Sequence, residues 1–198
     1  MHLTSPLSRF IVRVLAWLPV TFAVWYFAAP LLMWPAAWLV RAIAYTALAD
    51  LVRTIEQARA VIVFATTLKP GIAGPVSATV TVEVNCLLYA FGMPLFAALT
   101  LAGTEANRLR ILAIGYVALL PVVAWGVLAD FLKNVAITSG PLVASQTGFS
   151  SAQREVIAFA FQFGSLILPT VIPAIVWVLT HRAFLLRMRE ESADAALT

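Results

Sequence analysis

Cysteine, histidine and charge are all scarce in this chain. A single cysteine, Cys86, forbids an internal disulfide, so redox compartment cannot be read from it. Zinc sites need several Cys or His ligands, and only His2 and His181 accompany Cys86, far apart along the chain, so no metal is expected. Charged residues are 11% of the 198 positions, where a soluble domain carries about 25%. Glycine-rich phosphate loops, paired catalytic carboxylates and basic-aromatic patches are missing, so neither a cofactor nor a nucleic-acid partner is expected. Acids within the apolar runs, the usual mark of a proton relay or ion pathway, are missing too, which argues against a coupled transporter or channel.

What is abundant is apolar: 62% of residues are hydrophobic and mean hydropathy is +0.95. A soluble fold of this size could not hide so much apolar surface, so the chain's solvent is a bilayer and its length allows one domain. Spanning helices need about 20 mostly apolar residues, and four stretches qualify: 10–29, 86–103, 111–129 and 156–180. The first reads as a retained anchor rather than a cleaved signal, because its apolar run is long and continues past Pro30. Arg9 and Arg13, Arg108 and Arg110, and Arg182, Arg187 and Arg189 then fall on one side of the bilayer, which makes both termini cytoplasmic.

Two segments face outward, 30–85 and 130–155. Residues 31–57 have helical character, with Trp34, Trp38 and Tyr45 among aliphatics; Pro35 and Arg41 interrupt the run, so an interfacial helix is expected rather than a fifth span. "VSATVTVEV", 76–84, alternates strictly and predicts a strand with one buried face. With "ARAVIVFATTL" before it and the connector "KPGIAGP", a docked β-hairpin is expected over about 59–85. The spacing of Ser150 and Gln153 predicts a capping box, and that of Asp130 and Lys133 an ion pair. The expected fold class is an all-α integral membrane protein: four transmembrane helices with a small outward β-hairpin and an interfacial helix.

The chemistry-bearing candidates gather at the outward end. Cys86 opens a helix, and Lys133 at the end of the next could favour its thiolate, as a cysteine nucleophile requires; as a small apolar filler it needs neither. Glu83, Asn85, Tyr89, Asp130 and Asn134 flank the same place and are candidate binding residues. Gln162 and Ser165 within the last run suit interhelical hydrogen bonds. Pro169 and Pro173 should kink that helix, and Gly92 with Pro94 should bend the second. Trp25, Trp125 and Trp177 fit aromatic belts.

The strings "WLPVTFAVWYFAAPLL", "NCLLYAFGMPLFAALTLA", "WGVLADFLKN" and "FQFGSLILPTVIPAIVWVL", in this order over most of the chain, resemble the exosortase H-associated membrane proteins. The resemblance implies a bacterial inner-membrane accessory of a protein-sorting system, with lipid and an exosortase or its sorting-signal substrates as partners. Exosortases themselves are membrane cysteine enzymes with an outward-facing Cys. Here Leu87 and Leu88 follow Cys86 in place of a Cys-Ser-Gly pattern, and Lys133 stands where an arginine fork would be expected. A non-catalytic accessory is therefore the leading expectation. An exosortase-like cysteine transpeptidase using Cys86, and a scaffold or transporter subunit unrelated to sorting, are the alternatives.

Overall fold

The computed structural model describes residues 6–70, 79–105 and 107–197. The elements run α1 (Pro6–Phe27), α2 (Ala29–Leu32), α3 (Trp34–Ala47), β1 (Val52–Ala58), β2 (Val61–Thr66), β3 (Thr81–Asn85), α4 (Leu87–Ala90), α5 (Gly92–Ala102), α6 (Arg108–Lys133), α7 (Pro141–Gln146), α8 (Ser151–Gln162), α9 (Leu168–Thr180) and α10 (Arg182–Leu197). One π-turn, Asn134–Thr138, extends α6, and another, Phe163–Ile167, joins α8 to α9.

Among the described residues, three helices are long and apolar enough to cross a bilayer: Leu7–Phe27, Arg108–Thr138 and Ser151–Thr180. They match three of the four expected spans. The remaining one, 86–103, forms the shorter apolar stretch Leu87–Ala102, interrupted at Phe91 immediately before Gly92. The break falls where the glycine and Pro94 weaken the helix: glycine adds backbone entropy, and proline cannot donate to the preceding turn. The π-turn at Phe163–Ile167 has a related cause. Pro169 has no N–H to give the carbonyl four residues back, and Leu168 N bonds to Phe163 O, five residues back.

The chain forms two compact units. In the first, α1 packs on α5 and α10. Phe10 stacks on Trp177 at 5.7 Å between centroids and lies 5.3 Å from Phe184. A Cβ on Gly115 would sit 2.0 Å from Phe96, so the bare glycine lets that ring lie directly against α6. His181 is fully buried here, its Nδ1 3.0 Å from both Trp177 O and Thr180 Oγ1.

The second unit holds the sheet. The expected hairpin is part of a three-stranded antiparallel sheet in the order β1-β2-β3. Of the expected strand 76–84, residues 81–84 lie in β3, while residues 71–78 are outside the described ones. β1 corrects the expectation that residues 31–57 are helical throughout. Its register shifts between Val52 and Thr54, which places Val52 and Ile55 three apart on the buried side and imitates a helical repeat. The helix before it is real but short: α3 has 14 residues, too few for a fifth crossing. It buries Ala36, Ala37, Val40 and Ala44 and exposes Trp34, Trp38 and Tyr45. Arg41 Nε donates to Ile55 O at 3.3 Å, and Ile55 N donates to the Tyr45 hydroxyl at 3.1 Å, so α3 satisfies the outer edge of β1 at that residue.

Ile62, Phe64, Val82 and Val84 form the sheet's buried face, while Thr81, Glu83 and Asn85 alternate on the exposed one. Phe64 stacks on Phe131 of α6, ring centroids 4.3 Å apart and planes 20° from parallel. On the loop after β2, the Gln146 amide accepts from Lys69 N and donates to Lys69 O, both at 2.9 Å. This lone side chain pairs with the backbone as a neighbouring strand would.

Candidate functional site

The polar residues at the end of α6 are positioned by a close helix contact. A Cβ on Gly126 would lie 2.3 Å from the Tyr89 ring, so the glycine lets α4 settle on α6. One turn further along α6 is Asp130, on the helix face that Tyr89 packs against. Asp130 Oδ1 also accepts from Lys133 Nζ at 3.0 Å and from Asn134 Nδ2 at 2.9 Å. Lys133 Nζ sits 4.2 Å from the centroid of Phe161 on α8. The expected Asp130–Lys133 pair and the Ser150–Gln153 capping box both form.

Tyr89, Asp130, Lys133 and Asn134 are thus brought together as a clamp tying α4, α6 and α8. The side chains of Asp130 and Lys133 are 12% and 25% exposed, so the ion pair is largely withdrawn from water. Its carboxylate already has two donors, and the ammonium lies between a carboxylate and a ring. Such an arrangement holds helices together and leaves no free acid or base.

Cys86 lies between β3 and α4, fully buried. Its N–H donates to Ala60 O at 2.9 Å, which closes the end of the sheet. The thiol is free and packed into the interior, with no cation shown beside it among the described residues. Glu83 and Asn85 stand apart from the clamp on the exposed sheet face, and Asn85 Oδ1 accepts from Leu87 N at 3.0 Å, capping the turn into α4.

Phe161, Phe64 and Gln146 complete this region and were not singled out by the sequence. Each acts through a partner distant in the chain, and no local spacing announces such a pairing. Among the described residues no group of three His, Cys, Asp or Glu side chains could hold a metal.

Helices long and apolar enough to span a bilayer, with a sheet-bearing unit that closes around a polar clamp, define the class of integral membrane proteins. The chain belongs to the exosortase H-associated membrane protein family, whose pattern matches residues 4–184. Neither the curated proteins nor the solved structures contain a match.

Proposed function

We propose that this chain is a non-catalytic membrane partner of an exosortase, contacting the enzyme or its sorting-signal substrates through the exposed sheet face that carries Glu83 and Asn85. Family membership supplies the association. The observation that carries the non-catalytic part is the paired burial of Cys86 and engagement of Lys133: the thiol lies in the packed interior, and the ammonium is held by Asp130 and Phe161. A cysteine nucleophile needs access and a cation, and neither is offered here.

The same reading has four crossings in a bacterial inner membrane, with both termini cytoplasmic and the sheet outside. Arg108 and Arg110 against the short 104–110 loop support that orientation. Leu87–Ala102 has 16 residues, a length of about 24 Å at 1.5 Å per residue, and a crossing this short requires local thinning of the bilayer.

The test is co-purification of an exosortase with the full chain in native membranes, alongside a sorting assay in cells whose only copy is Cys86→Ala. Recovery of the exosortase with unchanged sorting at normal abundance is expected. Loss of sorting at normal abundance would make Cys86 a nucleophile and end the accessory reading, while failure to recover any exosortase would favour a scaffold or transporter subunit.

A further inference from the structure

A second polar feature of the sheet-bearing unit lies outside the clamp. Arg154 and Glu155 are the last charges before the uncharged run 156–180, and both line a groove of about 450 Å³ with Ala136, Gly140, Ala144 and Ala158. The walls are mostly small and apolar. Gly140 adopts φ +89° and has nothing within 4 Å of where a Cβ would stand, so the groove is open at that point.

Arg154 is poorly matched to its own surroundings. It lies in the first turn of α8, which contains no acidic residue, and a cation there opposes the helix dipole. Its Nη2 donates to Ala144 O at 3.1 Å, but that carbonyl already accepts from Thr147 Oγ1 at 2.7 Å and Thr147 N at 3.3 Å. Its Nε is buried and without a partner. A guanidinium offers five donors in a planar fork suited to an oxyanion, and only one of them is engaged here, on a shared carbonyl.

We propose that this groove binds a phospholipid headgroup of the phosphoethanolamine type, with the phosphate on Arg154, the ammonium toward Glu155 and an acyl chain along the alanine-lined wall. Three observations converge on that ligand. The guanidinium donors left unengaged beside Ala144 O call for an oxyanion. The adjacent carboxylate calls for a cation a short distance from it. The start of the apolar run places both charges at headgroup depth, where the roughly 30 Å hydrocarbon layer gives way to the polar zone. A free oxyanion would use Arg154 but would gain nothing from Glu155 or the apolar wall.

The test is native mass spectrometry of the full chain in a non-ionic detergent, titrated with dioleoyl phosphatidylethanolamine, dioleoyl phosphatidylglycerol and inorganic phosphate. Wild type should prefer the ethanolamine lipid, and inorganic phosphate should not displace it. Arg154→Gln should weaken binding of both lipids about tenfold, as loss of a charge-assisted hydrogen bond implies. Glu155→Gln should lower affinity for the ethanolamine lipid alone and so narrow the gap. Ala158→Phe fills the groove without altering charge and should weaken both lipids, which keeps the test sound if Arg154→Gln does not fold. Wild-type affinity in Arg154→Gln or in Ala158→Phe, displacement by inorganic phosphate, or an unchanged lipid preference in Glu155→Gln would each overturn the proposal.

Discussion

Phe64→Ala is expected to destabilise the sheet-bearing unit by about 3–5 kcal/mol, the largest single effect anticipated outside the backbone. Phe64 and Phe131 are both 0% exposed and stack at 4.3 Å. Truncation removes the transfer free energy of a whole ring and leaves a cavity that β2 and α6 cannot readily collapse to fill. Strands of five to seven residues are marginal without a packed face, so the sheet depends on this contact. Unfolding in mixed micelles should show the loss, and the double variant Phe64→Ala/Phe131→Ala should reveal a coupling of about 0.5–1.5 kcal/mol beyond ring burial. A Phe64→Ala cost below about 1 kcal/mol would mean that the sheet is held by something else.

Asp130→Ala should cost about 2–4 kcal/mol, because it strands two donors at once, one of them charged. Asn134 Nδ2 keeps only the Asp130 backbone carbonyl at 2.9 Å, and Lys133 is left as a mostly buried charge over Phe161. Asp130→Ala/Lys133→Met, which removes the stranded charge as well, should recover part of that loss, since replacing both members of a buried pair is far less damaging than removing one. The same micelle unfolding measurement reads both variants. An Asp130→Ala cost within about 0.5 kcal/mol of zero would show the clamp to be ornamental.

The legible parts of this fold were those written at short range. Three helices long and apolar enough to cross a bilayer follow from long apolar runs, the Ser150 cap from a three-residue spacing, and β3 from the alternation ending at Val84. The bend at Gly92 and Pro94 follows from residue type as well, but the shortness of Leu87–Ala102 does not. β1 was hidden because its register shift converts a two-residue repeat into a three-residue one. The candidate site was half legible for the same reason. Asp130, Lys133 and Asn134 lie within one turn of each other and could be grouped by eye. Phe161 beneath Lys133, and the orphaned Nε of Arg154, emerge only once helices distant in the chain are packed together.

The most direct measurement is thiol accessibility in intact cells, with single cysteines introduced at Glu83 and at Asn107 in a Cys86→Ala background. Both positions are exposed, so the bilayer alone decides which one an impermeant maleimide reaches. Labelling of Glu83→Cys from outside, with Asn107→Cys reacting only after permeabilisation, is the predicted result. Reaction of Asn107→Cys in intact cells would contradict the account.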